Sequence, residues 1–309
     1  MTTPPTPSAD RDWLGLTEVL GAIILFSSVE VASKWVGGSI PPLWLGTVRF
    51  YLAGLLLLAP GVAALRQRGG WPDGREWLAL LVMAIVGVTL SLGLYHLAIP
   101  RMRANSAAIL FSANPAFVVL FAPGLLGERP ERRHLAGAAA GLAGVGVFLT
   151  RPAAGTDTLP GVLLMTGSLI CFALYTVLSK RYMLRFGAFP ILALAGLLGS
   201  TLLLPLAWSL EGPPTEALHG VYWPGVIYLS VFATAMAYAL YFDGLHRAGA
   251  ARGSLLFFLK PILASLFAWV LLGERLTPRL LVGAACVLTG LALSFPKPRP
   301  SKARVSGPA

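Results

Sequence analysis

Three charged side chains lie within long apolar stretches of the chain, where a charge is costly. They are Glu30, Arg49 and Lys260. A charge at the centre of a bilayer costs about 2.5–3.5 kcal/mol on insertion scales, so such residues commonly pair with one another, bind ligands or carry protons. Lys260 is predicted to line a cavity and to bind a carboxylate or other anionic group. The alternative is a structural lysine that donates to backbone carbonyls.

Glu30 has two candidate partners near it. Lys34 follows it by four residues, which places both on one helix face, and Arg49 is predicted to lie at a similar depth. A Glu30–Lys34 or Glu30–Arg49 pair would then act as a structural clasp. The alternative is that Glu30 binds a proton or a cation, since acidic residues within membranes often serve as proton relays.

Two prolines lie deep in apolar segments, Pro115 and Pro261. Proline has no N–H group, so it leaves the carbonyl four residues earlier without its helical donor. Those carbonyls belong to Phe111 and Phe257. We therefore expect both prolines to act in hinge or gating movements and both phenylalanines to lie near a binding site. The alternative is that the prolines only bend helices for packing.

The residues that precede the two prolines differ, since one is Asn114 and the other is Lys260. Ligand specificity could lie where two otherwise similar segments differ, so Asn114 is a second candidate for substrate binding. Three further candidates lie near the ends of apolar segments and could be gates or interfacial anchors: Tyr95, His96 and Tyr241.

The prolines belong to a repeat, because the chain matches itself without a gap at an offset of 146 residues. Gly127-Glu128-Arg129 falls on Gly273-Glu274-Arg275, and Ser33-Lys34 falls on Ser179-Lys180. We predict a first repeat over 14–150 and a second over 159–296. A linker over 151–158 joins them, and disordered tails cover 1–13 and 297–309.

The composition predicts a membrane protein. The chain is 56% hydrophobic and 12% charged, with a mean hydropathy of +0.74, whereas soluble domains carry about 25% charged residues. The net charge of +11 lies mainly in short connections and the C-terminal tail, which argues against nucleic-acid binding. The two cysteines fall in apolar segments without metal-site spacing, and no cofactor is expected.

The predicted fold is an all-α polytopic membrane protein. The expected ten spans are 14–36, 42–65, 76–98, 104–127, 133–150, 159–180, 188–208, 222–244, 250–272 and 278–295. With cytoplasmic termini, 16 Lys and Arg residues lie inside and 6 outside, as the positive-inside rule requires. Five spans per repeat make the second repeat inverted relative to the first, an arrangement that is common in transporters.

The segment Asn114-Pro115 followed by Gly127-Glu128-Arg129 and a glycine-rich span resembles the EamA-type domain of the drug/metabolite transporter superfamily. Lys260-Pro261 begins the same pattern in the second repeat. This resemblance implies ten helices, cytoplasmic termini and a central cavity between two halves. It also implies export of amino acids or related metabolites across a bacterial cytoplasmic (inner) membrane.

The predicted function is therefore secondary transport of small metabolites by alternating access, with neutral or aromatic amino acids as the first candidates. Proton coupling is possible, and the oligomeric state is a monomer or a homodimer. Export of another small solute or drug is the alternative, followed by a channel-like or scaffold protein. Enzyme motifs such as HExxH and GxSxG are absent from the sequence.

Overall fold

The computed structural model describes residues 9–38, 40–68, 70–127, 130–150, 157–214, 222–248, 256 and 259–294. The helices of the first repeat are α1 (Ala9–Ser27), α2 (Val29–Gly37), α3 (Pro42–Gln67), α4 (Gly74–Ala84), α5 (Gly93–Ala98), α6 (Ala104–Phe111), α7 (Asn114–Leu126) and α8 (Arg132–Thr150). Those of the second repeat are α9 (Leu159–Phe186), α10 (Ala188–Glu211), α11 (Trp223–Ile227), α12 (Ala237–Ala248), α13 (Leu259–Leu272) and α14 (Pro278–Ser294).

Each predicted span coincides with a helix or with a run of helical segments. Seven of the described helical runs are long and apolar enough to cross a membrane, and two apolar helices are shorter, Leu259–Leu272 and Pro278–Leu293. Residues 250–258 of the predicted ninth span, apart from 256, lie outside the described residues. The protein is therefore a multi-pass membrane protein, and the count of ten crossings stays a prediction.

Several predicted spans are discontinuous. The first breaks at Ser28, between α1 and α2, where the hydroxyls of Ser27 and Ser28 donate to the carbonyls of Ile23 and Leu25 at 2.6 and 2.8 Å. Such back-bonding competes with the regular helical ladder and bends helices. The third and eighth spans contain π-helical segments, Ile85–Leu92 and Tyr228–Met236, and π geometry often occurs at functional sites.

The fourth span breaks in front of Pro115, so the expectation that this proline lies inside a continuous helix is wrong. α6 ends at Phe111, Ala113 N donates to Leu110 O at 3.1 Å, and Pro115 lies in the first turn of α7. A proline in a first turn removes a donor that has no helical partner there. Pro261 likewise lies close to the beginning of α13 and is buried.

The packing of the helices follows the 146-residue offset. α3 packs against α10 and α8 packs against α14. In each pair, the first helix falls on the second at the 146-residue offset. The pair α1 with α12 corresponds to α9 with α5 and the first π segment. Glycine permits the close α8–α14 contact, since a Cβ at Gly290 would lie 2.6 Å from Gly137 O.

Candidate functional site

The charged residues predicted within the membrane meet at one central cavity. This cavity has an empty volume of about 490 Å³, and Glu30, Arg49 and Lys260 all line it. Its wall is largely aromatic and consists of Phe26, Phe50, Tyr95, Phe111, Phe172 and Tyr238. An apolar wall with a few polar groups is typical of small-molecule sites.

Glu30 and Lys260 form a buried ion pair between the two repeats. Lys260 Nζ lies 3.4 Å from Glu30 Oε1, and the two side chains are 10% and 1% exposed. The break after α1 places the two segments together, because the Ser27 hydroxyl also contacts Lys260 O at 3.2 Å. The ammonium lies 5.3 Å from the centroid of the Phe111 ring, a cation–π distance. Removal of one partner would leave a buried charge uncompensated.

Arg49 is held on the opposite side of this cavity by the second π segment. Its Nε donates to Thr234 Oγ1 at 3.0 Å, and its guanidinium carbon lies 4.8 Å from the centroid of the Phe50 ring. Thr234 Oγ1 donates in turn to Leu229 O at 2.7 Å, five residues earlier. Arg49 is 5% exposed. The predicted Glu30–Arg49 ion pair does not form, since the ion pair of Glu30 is with Lys260.

Tyr95 and Phe111 line the same cavity as the charged residues. Their rings lie 5.5 Å apart, and Phe111 lies 5.2 Å from Phe172. The Tyr95 hydroxyl and Glu30 Oε2 are buried and close enough to interact with each other, but neither atom has a hydrogen bond of ordinary geometry among the described residues. Two polar atoms beside one cavity are thus available to a ligand.

Three described candidates for the site are not in this lining, and a fourth lies outside the described residues. His96 lines a separate pocket with Lys34, and its ring lies 6.3 Å from that of Phe50. Tyr241 packs behind the cavity at 6.0 Å from Phe26. The amide of Asn114 donates to Leu169 O at 3.5 Å, toward α9. Phe257 lies outside the described residues, so its predicted role is untested.

The predicted Glu30–Lys34 pair is also wrong. Lys34 Nζ instead contacts Glu274 Oε1 at 3.1 Å. The Glu274 carboxylate accepts from the N–H groups of Ala104 and Asn105 at 2.8 and 3.0 Å, at the positive end of α6. We call this cluster of Lys34, Glu274 and the first residues of α6 the end latch. Glu274 therefore has a structural role in holding α6 and α2 together.

A second cavity continues from the first, because Phe50, Leu92, Phe172 and Tyr238 line both. It has an empty volume of about 430 Å³ and extends between α3 and α10 to Leu57 and Leu192. Lys34 and Glu274 are absent from the lining of both cavities. The two cavities thus adjoin each other, and neither is lined by the ion pair of the end latch.

Four aromatic residues of the wall were not predicted from the sequence: Phe26, Phe50, Phe172 and Tyr238. Phe26 and Phe172 both line the cavity and fall on each other at the 146-residue offset. That match was visible in the sequence and could have identified them. Phe50, Thr234 and Tyr238 have no such signal, because only the packing of α3 against the second π segment brings them together.

The comparisons with known proteins agree with this architecture. The model of the EamA-like transporter family matches residues 13–150 and again 159–295, so the chain belongs to this family. An uncharacterized transporter of Archaeoglobus fulgidus is 30% identical over 83% of the chain and 88% of its own length. The aromatic amino acid exporter YddG of Ancylobacter novellus is 28% identical over 88% and 95%.

A solved crystal structure has the same fold. It superposes with a TM-score of 0.62 at 25% identity, over 93% of this chain and 96% of that one. Because the family model, these relatives and the fold all point the same way, the protein is a transporter of the EamA family. Membership of this family implies that the protein transports a small-molecule substrate and that membrane lipid surrounds it.

Proposed function

We propose that this transporter exports small carboxylate-bearing metabolites, with neutral and aromatic amino acids as the first candidates, from a bacterial cytoplasm by alternating access. The observation that carries the proposal is the central cavity, in which a cross-repeat ion pair meets an aromatic wall. Similarity to an aromatic amino acid exporter supports the same substrate class. Export of another small solute or drug through this cavity is the second candidate.

The cavity suits a small molecule with one charged end and one apolar end. A carboxylate can approach two cations, Arg49 and Lys260, and an ammonium group can approach the unbonded Oε2 of Glu30. An apolar or aromatic side chain can pack on the phenylalanine rings, where edge-to-face and offset contacts are favourable. Both ends of such a molecule are thus matched within one water-poor cavity.

Alternating access follows from the proposed inversion of the repeats. Two similar halves of opposite orientation have two conformations of similar energy, one open to each side. If the termini are cytoplasmic, the end latch lies at the outer face, where Glu274 ties α2 to the beginning of α6. We infer that this cluster takes part in closing the outer side. Covalent labelling of a single cysteine in the 151–157 segment from outside intact cells tests this topology, which fails if only the cytoplasmic side is labelled.

Counterflow in proteoliposomes tests the function. Vesicles loaded with unlabelled phenylalanine should accumulate external labelled phenylalanine transiently, because a carrier returns faster when its site is occupied. The same protocol with other metabolites identifies a different substrate. A channel-like protein would show uptake that is independent of internal substrate, and that result would contradict alternating access.

Glu30 is the residue through which a proton could be coupled to this movement. It is buried and has one oxygen without a hydrogen bond among the described residues. Glu30→Gln should then allow exchange of substrate but abolish accumulation driven by a pH gradient. Unchanged accumulation in the variant would exclude coupling through this carboxylate.

A further inference from the structure

Arg49 is a buried guanidinium that forms no ion pair in the described part of the chain, and Glu30 is the acidic residue that acts on its charge from within the cavity lining. It is 5% exposed, and its side-chain hydrogen bond, to the neutral Thr234 hydroxyl, uses only Nε. Its face lies on the Phe50 ring. The two terminal nitrogens, which form the fork that binds carboxylates, are therefore left for a ligand in the cavity.

Lys260 is differently placed, although it lines the same cavity. Its ammonium is already paired with Glu30 Oε1 at 3.4 Å and lies near the Phe111 ring. A ligand carboxylate at Lys260 would have to compete with Glu30 for the ammonium. A carboxylate at Arg49 would displace no ion pair, and it would supply the missing negative charge.

We infer that Arg49, rather than Lys260, is the anchor for the substrate's carboxylate, and that a carboxylate is the part of the substrate that the site requires. This inference rests on the proposed use of the central cavity for substrate. The carboxylate receives two parallel hydrogen bonds from the guanidinium fork, a strong and directional arrangement. The apolar body then lies against the aromatic wall.

The amino group of a substrate has a smaller role. Its only anionic partner in the described lining is Glu30, whose charge is already shared with Lys260. The cavity thus contains two cations and one anion. An aromatic carboxylate without an amino group should bind, whereas an aromatic amine without a carboxylate should be repelled.

Three probes with the same phenyl body separate these contributions: phenylalanine, 3-phenylpropionate and phenethylamine. Binding to the purified full-length transporter is measured by calorimetry for the wild type, Arg49→Gln, Arg49→Lys and Thr234→Val. Arg101→Gln is the matched control, because Arg101 is exposed and lies outside the cavity lining. Thermal unfolding and size-exclusion profiles show that each variant is folded, and counterflow is measured on the same preparations.

Phenylalanine and 3-phenylpropionate should bind to the wild type within about tenfold of each other, and phenethylamine should not bind. Arg49→Gln should weaken both carboxylates by about 100-fold or more, as is usual when one partner of a buried charge pair is removed. Arg49→Lys should recover part of this loss, because it keeps the charge and loses the fork. Thr234→Val should have a smaller effect through the position of Arg49, and Arg101→Gln should have none.

The inference is overturned if phenethylamine binds as tightly as phenylalanine. It is also overturned if the folded Arg49→Gln variant keeps wild-type affinity. The same conclusion holds if a further variant, Lys260→Gln, loses affinity while Arg49→Gln does not. If counterflow persists but carboxylate binding does not depend on Arg49, only the assignment of Arg49 as the anchor is rejected. Absence of counterflow for every metabolite tested rejects the proposed transport function instead.

Discussion

Two ion pairs connect α2 to the second repeat, and their surroundings differ although their chemistry is the same. Glu30–Lys260 lies in the central cavity, with side chains that are 1% and 10% exposed. Lys34–Glu274 lies at the end latch, where the lysine is 28% exposed. Glu30 has an oxygen without a hydrogen bond among the described residues, whereas both oxygens of Glu274 accept backbone N–H groups.

The difference indicates a division of roles between the two pairs. The carboxylate of the end latch is satisfied by its own protein, so it can hold α6 and α2 in place but has nothing to offer a ligand. The central pair is buried beside empty volume and incompletely satisfied, which is costly for stability alone. We therefore propose that the ligand binds in the central cavity beside the first pair and that the end latch closes one face.

The largest effect is expected when the central pair is broken. Lys260→Met leaves the Glu30 carboxylate buried without its cation, which should lower stability by about 3–5 kcal/mol, as for other buried pairs. Thermal unfolding in detergent measures the loss. The double variant Glu30→Gln with Lys260→Met should recover most of the stability but not transport. Equal stability of Lys260→Met and the wild type would show that the pair is not formed.

An intermediate effect is expected at Glu274. Glu274→Ala removes the acceptor for two N–H groups at the beginning of α6 as well as the partner of Lys34. Loss of such a cap costs about 1–2 kcal/mol, and the outer side should open more often. Thermal unfolding checks the first effect, and labelling of Ser33→Cys by an external thiol reagent checks the second. Glu274→Gln is the control, since it keeps one acceptor; labelling no faster than in the wild type would contradict a latch.

The smallest effect is expected at Lys34. This lysine is partly exposed, and pairs of this kind contribute about 0–1 kcal/mol. Lys34→Ala should therefore lower stability only slightly and should leave substrate affinity unchanged, because Lys34 is absent from the lining of the central cavity. A loss as large as that of Lys260→Met would remove the distinction between the two pairs.

Periodicity and composition predicted where helices lie, because apolar length and charge placement are local properties of the chain. Charges within apolar spans and the matched prolines gave Glu30, Arg49, Lys260 and Phe111 as separate candidates, and only the structure shows that they line one cavity. The partner of Glu30 was not predictable, since the i,i+4 rule favours Lys34 and says nothing about a contact between residues 230 positions apart. The break near Ser28 was not predictable either, because no proline or glycine marks it and serine hydroxyls cause it. The π segments interrupt two other spans.

The difference between Asn114 and Lys260 made both residues candidates for the site, but only Lys260 lines the central cavity. The repeat places both residues before a matched proline. Lys260 lines the central cavity, whereas the amide of Asn114 points to the carbonyl of Leu169 in α9. Two residues that match in the sequence repeat thus have different surroundings in a single conformation. The repeat match alone does not show this difference.

Counterflow of labelled phenylalanine, compared between Lys260→Gln and Lys34→Gln in equal amounts of reconstituted protein, tests the central claim most directly. Both substitutions remove one lysine charge from an ion pair between α2 and the second repeat. The account predicts that counterflow is lost in Lys260→Gln and retained in Lys34→Gln. Retention in Lys260→Gln, or equal loss in both variants, would contradict the assignment of the central cavity as the substrate site.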